Sequence, residues 1–207
     1  PVMRRPLMIG VALAILQQVT GINTVLYYGS ILFTEQAGSE STSAALWANV
    51  VIGGMNLVCT VFALFAIDRL GRKTLLMAAA GGMGMALAAL SAVFASGAAN
   101  PSRILILILC YGACFSFGMG PGVWVVIAEL FPTRIRGRAM SIATVALWLA
   151  CLLITFTFLS LVRVFTAAGA FALYALLCGV TVWFVRRFIP ETKGMHLEEI
   201  ERHWLQE

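Results

Sequence analysis

Amides and hydroxyls lie close together near the start of the chain, inside sequence that is otherwise apolar. They are Gln17, Gln18, Thr20, Asn23 and Thr24, followed by the tyrosines Tyr27 and Tyr28. An amide donates and accepts hydrogen bonds and carries no charge. Such groups suit a neutral solute rich in hydroxyls, because each hydroxyl that leaves water needs a new partner.

Three further apolar stretches carry polar or aromatic residues at helical spacing, so that each set falls on one helix face at roughly 100° per residue. The sets are Asn49, Gly53, Asn56 and Thr60; Tyr111, Phe115, Gly118 and Gly122; and Ser141, Thr144, Trp148, Cys151 and Thr155. Polar groups at membrane depth tend to face the bundle interior or a cavity. Interhelical hydrogen bonding and aromatic packing are the alternative explanation.

Charged chemistry is not predicted at membrane depth. All nine acidic residues are expected in loops, at helix ends or in the tail, and no Lys or Arg reaches the middle of a span. The histidines, His196 and His203, lie in the tail, and the five cysteines lack CxxC spacing and are interpreted as packing residues. We therefore expect no enzyme activity, no cofactor and no metal site.

Long apolar segments must position these residues. The chain is 61% hydrophobic and 11% charged, against about 25% charged in soluble domains. Six segments are long enough to cross a bilayer as helices, which takes about 20 residues each, and they do not alternate as membrane strands would. The predicted fold class is all-α, a polytopic membrane domain over residues 1–189 with a cytoplasmic tail over 190–207. The predicted spans are about 7–33, 46–67, 74–94, 104–130, 139–161 and 165–188.

The distribution of basic residues predicts the orientation. All of the 14 Lys and Arg residues except Arg103 and Arg163 fall on one side of the predicted spans. Short loops rich in Lys and Arg stay in the cytoplasm, so both termini are predicted to be cytoplasmic in a plasma membrane. The net charge of +5 then has membrane lipid as its partner, and no nucleic acid is needed.

Two spans are predicted to be broken. In a straight helix Gln18 and Asn23 would point about 140° apart, so a break at Gly21 is needed to aim both at one cavity. Pro121 lacks an N–H group and predicts a kink in the fourth span, beside Gly118, Gly120 and Gly122. Broken spans line the substrate cavities of transporters.

Opposite charges cluster in two loops at one end of the predicted bundle. Asp68, Arg69 and Arg72 lie in the first loop, and Glu129 and Arg136 flank Pro132 in the second. Because a proline ends a helix, the acid of one helix can meet the base that opens the next. We predict a charge network that stabilises one conformational state; loops that only set topology are the alternative.

Several motifs carry a resemblance to a known family. They are QQVTGIN at residues 17–23 followed by the tyrosine pair, DRLGRK at 68–73, GPGVW at 120–124, ELFPTRIRGRA at 129–139 and PETKG at 190–194. Together they cover essentially the whole chain, which resembles the second six-helix half of the sugar porters of the major facilitator superfamily. The missing starting methionine agrees with a fragment whose N-terminal half is absent.

The resemblance implies a role for each matching residue. Gln17, Gln18, Asn23, Asn56 and Trp124 are implied sugar contacts, with Phe115 and Trp148 as apolar walls and Tyr27 and Tyr28 near an extracellular gate. The implied cytoplasmic charge network contains Asp68, Arg69, Arg72, Glu129, Arg136 and Glu191. Two positions depart from the family pattern: Leu147 stands where many members have Asn or Gln, and Ser116 where some hexose carriers have Glu.

These observations predict transport of a neutral monosaccharide by alternating access. The chain would supply the C-terminal half of the sugar site, and the N-terminal half of the same transporter would be its partner. A carrier of another neutral solute, such as a polyol, and a membrane sugar sensor that moves no substrate stay open as alternatives. The sequence does not choose between proton-coupled symport and facilitated diffusion.

Overall fold

The computed structural model describes residues 4–26, 42–97, 100–191 and 193. These residues form helices and connecting turns, with no strand among them. The helices are α1 (Arg4–Val19), α2 (Thr42–Leu70), α3 (Arg72–Ala95), α4 (Pro101–Cys114), α5 (Gly120–Leu130) and α6 (Thr133–Phe188), and a π-helical segment (Phe115–Met119) joins α4 to α5. The described part contains five helical stretches that are long and apolar enough to cross a membrane, and the fold is all-α.

The helix ends follow from local sequence. Asn100 precedes α4 and its side chain accepts a hydrogen bond from Ser102 N at 3.0 Å, with Pro101 at the first helical position. Gly71 separates α2 from α3 with a φ of 89°, a left-handed conformation that favours glycine. Phe131 is extended before Pro132, as residues before proline usually are, and α6 begins at Thr133.

The helix α6 contains two membrane-length arms. Its 56 residues break at Thr166, which has a φ of 64° and a ψ of 168°. The rings of Phe158 and Tyr174 lie 6.2 Å apart, whereas 16 residues of straight helix would separate them by about 24 Å. The arms before and after Thr166 are therefore folded back against each other. The sequence prediction placed this turn between residues 161 and 165, a few residues before the break.

The core lies between α1, α3, α4, α5 and both arms of α6. The closest approach joins the π-helical segment to α3: a side chain at Gly118 would lie 2.5 Å from the Ala79 Cβ and 2.9 Å from the Leu75 carbonyl oxygen. Gly118 and Gly122 were predicted on a helix face that meets the bundle interior or a cavity. The structure packs both against α3, and the contact at Gly118 leaves no room for a side chain.

Large apolar side chains cover the outer faces of α2 and of the first arm of α6. They include Trp47, Phe62, Phe65, Trp148 and Phe156, all exposed. Soluble proteins rarely expose apolar surface on this scale, and these faces suit lipid or a second bundle.

Candidate functional site

The first span is broken where the sequence predicts it. The helix α1 ends at Val19, Gly21 has a φ of 87°, and residues 22–26 resume a helix. The ring of Tyr174 covers this turn, 3.1 Å from where a side chain on Gly21 would begin. Tyr111 on α4 donates its hydroxyl hydrogen to the Thr20 carbonyl at 3.1 Å. The turn is thus held by residues from two other helices, and the predicted break at Gly21 is confirmed.

The break brings Gln18 and Asn23 together. Asn23 Nδ2 donates to Gln18 Oε1 at 2.7 Å and to the Cys151 sulfur, on α6, at 3.1 Å. These two bonds use both hydrogens of the Asn23 amide. The described part of the chain supplies no partner for Asn23 Oδ1 or Gln18 Nε2, so this amide pair presents one acceptor and one donor.

Gln17 points in a different direction. Its Nε2 donates to the carbonyl oxygens of Met119 at 2.9 Å and Gly120 at 3.2 Å, where the π-helical segment meets α5. The side chain is only 2% exposed, and Oε1 is buried without a hydrogen-bond partner among the described residues. Gln17 therefore contacts the fourth span and does not join the pair formed by Gln18 and Asn23.

Asn56, on α2, also contacts the π-helical segment. Its Oδ1 accepts a hydrogen bond from Ser116 Oγ at 2.8 Å, and its carbonyl accepts one from Thr60 Oγ1. Ser116 is buried within the π-helical segment. The hydroxyl thus fixes the Asn56 amide and leaves its Nδ2 hydrogens for another partner.

The aromatic residues predicted to line the site differ in exposure. Phe115 and Trp124 are half-buried against the core, while Trp148 is 61% exposed on the first arm of α6. Tyr27 and Tyr28, predicted at the extracellular gate, lie outside the described residues. The position of the gate therefore stays a prediction.

Arg72 is the centre of the ion pairs at the other end of the bundle. Its guanidinium lies 3.1 Å from an oxygen of Asp68 and 3.1 Å from an oxygen of Glu129, and its Nε also donates to Glu129. Arg72 and Glu129 are mostly buried, whereas Asp68 is 72% exposed. The pair of Arg72 with Glu129 is therefore the stronger, because solvent screens it less.

Glu191, near the C-terminal end of the chain, contacts the same region. Its Oε1 accepts from the backbone N–H of Arg72 at 3.0 Å and from that of Lys193 at 3.1 Å, and the carboxylate lies over Gly71. Lys193 Nζ donates to the Arg69 carbonyl at 2.6 Å. A carboxylate at the start of α3 also interacts favourably with the helix dipole. We call this arrangement the Glu191 cap.

Arg136 is half-buried beside these charges. Its Nε donates to the Phe131 carbonyl at 3.2 Å, and its Nη2 is buried without a hydrogen-bond partner in the part of the chain that is described. Glu129 pairs with Arg72 in this structure, and the ion pair expected between Glu129 and Arg136 when the transporter faces outward stays a prediction.

Sequence reasoning missed three contributors to the site: Cys151, Ser116 and Tyr111. Cys151 and Tyr111 were placed on polar stripes, but Cys151 was interpreted as a packing residue and Tyr111 received no role. Ser116 was noted only as a departure from the family. In the sequence, the available signal was a short polar side chain close to an amide. That signal could not identify the hydrogen-bond partner of each residue, because the partner depends on how the helices pack. Within the described residues no three His, Cys, Asp or Glu side chains are arranged to hold a metal.

Apolar helices broken around amides, with ion pairs at one end of the bundle, are typical of one half of a membrane transporter. The family described as "Sugar (and other) transporter" matches residues 1–204. The chain belongs to this sugar transporter family of the major facilitator superfamily, whose named members are transporters and not enzymes. It is an integral membrane protein.

Two curated relatives and one solved structure illustrate the similarity. The chain is 40% identical over 201 residues to a D-xylose transporter of Levilactobacillus brevis and 38% identical over 205 residues to a D-xylose-proton symporter of Escherichia coli K12. Each alignment covers 96% of this chain, and 44% and 41% of the respective relative. The proton:xylose symporter XylE, solved with 6-bromo-6-deoxy-D-glucose, matches with a TM-score of 0.87 and 37% identity over 96% of this chain and 42% of that one. The chain thus spans less than half the length of these proteins.

Proposed function

We propose that this chain forms the C-terminal half of a transporter that moves a neutral monosaccharide across a membrane by alternating access. The observation that carries the proposal is the amide pair of Gln18 and Asn23, which the break at Gly21 brings within 2.7 Å. Its acceptor and donor, which have no partner in the described part of the chain, match a hydroxyl, which both donates and accepts. The relatives named for D-xylose transport support a sugar as the substrate.

The proposed sugar contacts are Gln18, Asn23, Asn56 and Trp124. Phe115 and the exposed Trp148 would form apolar walls against the C–H faces of the ring. Gln17 is a further proposed contact through its Oε1 acceptor, which has no partner among the described residues, while both Nε2 hydrogens bond to the fourth span.

The remaining half of the transporter is the proposed partner. Residues 1–189 would form one six-helix bundle with residues 190–207 as a tail, and the sugar would bind between this bundle and an N-terminal one that rocks against it. Because short basic loops stay in the cytoplasm, we expect the charge network and both termini on the cytoplasmic side of a plasma membrane, beside anionic lipid. Tyr27 and Tyr28 would close the outer path, while Asp68, Arg69, Arg72, Glu129, Arg136 and Glu191 stabilise the closed inner path.

Uptake of radiolabelled D-xylose and D-glucose by vesicles that contain the full-length parent protein tests this function. We expect saturable uptake, with Gln18→Ala and Asn23→Ala each weakening it and Cys110→Ala, a change on the exposed face of α4, leaving it unchanged. Binding without uptake would favour the sugar sensor. Stronger competition by polyols than by any sugar would favour the polyol carrier.

A further inference from the structure

A groove runs along the first arm of α6, at the end of the bundle opposite the ion pairs of Arg72. Its cavity volume is about 460 Å³, and the described residues that line it are Leu152, Thr155, Phe156, Leu159, Ser160 and Arg163. Arg163 follows Arg136 by 27 residues, which corresponds to about 40 Å of helix. Small-molecule sites have volumes of roughly 300 to 1,000 Å³, so a solute such as a monosaccharide would fit in this groove.

The groove continues the helix face that carries Trp148. Thr155 follows Trp148 by seven residues and Leu159 follows Thr155 by four, so the three share one face of α6. Cys151, whose sulfur accepts from the Asn23 amide, precedes Thr155 by one turn, about 6 Å along the helix. A solute that moves from this end of the bundle toward the amide pair would therefore pass Thr155 first.

The polar groups of the groove are available to a ligand. Thr155 Oγ1 is buried without a hydrogen-bond partner in the described part of the chain, whereas the hydroxyl of Thr157 bonds to a carbonyl one turn earlier. A buried hydroxyl without a partner is unfavourable, and a solute hydroxyl would satisfy it. Arg163 is exposed, neither ion pair among the described residues involves it, and its guanidinium carries five N–H donors.

Phe156 adds an apolar face to these donors. Its side chain is 83% exposed, and an aromatic face packs well against the C–H face of a sugar ring. A lipid acyl chain would leave Thr155 and Arg163 without hydrogen-bond partners, and an inorganic anion would make no use of the ring. Hydroxyls, a guanidinium and an aromatic face together suit a neutral sugar.

We infer that this groove is a second sugar-binding position, where Thr155, Ser160 and Arg163 hydrogen-bond to the sugar hydroxyls and Phe156 packs against the ring. The inference rests on the proposed transport function and adds a position to it, because the sugar would bind here before it reaches the amide pair. The groove has no amide fixed by a neighbouring residue, so it should bind the sugar more weakly than the amide pair does.

Labelling of Leu159→Cys by a membrane-impermeant maleimide tests the inference in the full-length parent protein with its native cysteines replaced. We expect D-xylose or D-glucose to slow this labelling at least about fivefold, the scale of one hydrogen bond, and glycerol at the same concentration to have no effect. Arg103→Cys is the matched control, because it lies at the same end of the bundle but outside the groove lining, and its labelling should not change. If Leu159→Cys is not labelled even without sugar, lipid or the N-terminal bundle covers the groove and the inference is overturned.

A sugar bound at the amide pair would also slow the labelling if it closed the pathway. The sugar concentration that halves the labelling rate is therefore compared in two further variants. Asn23→Ala should leave it within about twofold, whereas Arg163→Gln should raise it about tenfold and its control, Arg103→Gln, should not. The reverse pattern would assign the protection to the amide pair and overturn the inference.

Two further arms keep the test decisive. If Leu159→Cys does not accumulate, Leu152→Cys reports on the same groove with the same expected outcomes. Because labelling measures binding, a parent protein that shows protection but no uptake would support the second sugar position and count against the proposed transport function.

Discussion

Single residues set which hydrogen-bonding groups the candidate site offers. Ser116 occupies Asn56 Oδ1 with a bond of 2.8 Å, and Cys151 takes one hydrogen of the Asn23 amide. Each amide is therefore partly committed within the protein before any solute binds. A fixed amide loses less conformational freedom on binding than a mobile one, which favours affinity.

Asn56→Ala should weaken sugar binding by about 1 to 2 kcal/mol, the scale of one lost hydrogen bond. Ser116→Ala should weaken it less, because the Asn56 amide remains but can rotate. The double variant should match Asn56→Ala alone, since Ser116 acts through Asn56. Sugar dissociation constants of the parent, the two single variants and the double variant test this expectation. Additive losses would mean that Ser116 contacts the sugar by itself.

The break at Gly21 could be predicted because the directions of Gln18 and Asn23 conflict in a straight helix. The hydrogen-bond partners of the amides could not be predicted from the sequence. Which residue meets Asn23 depends on how the first arm of α6 packs against α1, and that packing leaves no local sequence signal at Cys151. For the same reason Gln17 and Gln18 look equivalent in sequence, although the structure turns Gln17 toward the fourth span and pairs Gln18 with Asn23.

Three interruptions shape the helices: the turn at Gly21, the π-helical segment and the turn at Thr166. Only the first two have a glycine or a proline to predict them, at Gly21 and Pro121. Thr166 adopts a positive φ that a β-branched residue rarely takes. Its Oγ1 accepts a long hydrogen bond, 3.5 Å, from Gly169 N, which caps the second arm of α6.

Gly21→Ala should destabilise the parent protein by at least about 1 to 2 kcal/mol, because a left-handed backbone costs that much with a side chain. The new methyl group would also press on the ring of Tyr174. Gly81→Ala is the control, since nothing lies within 4 Å of a side chain there, and it should be neutral or stabilising by up to about 1 kcal/mol. Thermal unfolding in detergent compares the two. Equal thermal unfolding midpoints for the two variants would mean that the turn at Gly21 is not required for stability.

The ion pairs of Arg72 predict a shift between conformational states. We expect Arg136→Ala to favour the inward-facing form, and Arg72→Ala to favour it more strongly because Arg72 contacts Glu129 directly. Pairs at a water boundary contribute about 0 to 1 kcal/mol, so the population ratio should change up to about fivefold. Labelling of a cysteine introduced next to Tyr28, with the native cysteines replaced, should fall in that order. Arg134→Ala, an exposed control, should label like the parent. An increase in labelling in either test variant would contradict the prediction that the charge network stabilises one conformational state.

At the scale of the whole molecule, the bundle is proposed to form one wall of a transport pathway. Trp148 and its apolar neighbours on α6 face outward from the described bundle, as expected for a surface that meets a second bundle or lipid. The fold class was predictable because a bilayer permits few solutions for long apolar segments. The sequence did not predict which face of each helix meets lipid and which meets protein, because lipid and a protein partner select similar side chains.

This 207-residue chain should therefore insert into liposomes but not support saturable sugar flux. One bundle cannot enclose a solute or alternate its access to the two sides. Uptake of radiolabelled D-xylose by the purified chain, compared with the parent protein and with empty liposomes, measures this. Saturable uptake by the chain alone would contradict the half-transporter proposal.

The Glu191 cap also has a consequence for biosynthesis. Arg72 and Glu191 are 119 residues apart, so at about 5–20 residues per second the ribosome needs about 6 to 24 s to supply the carboxylate after α3 has begun. During that interval the N-terminus of α3 has no carboxylate and must be solvated or held by a chaperone. A chain that ends before Glu191 would never leave this condition, and we expect a quality-control protease to recognise it by that uncapped helix end.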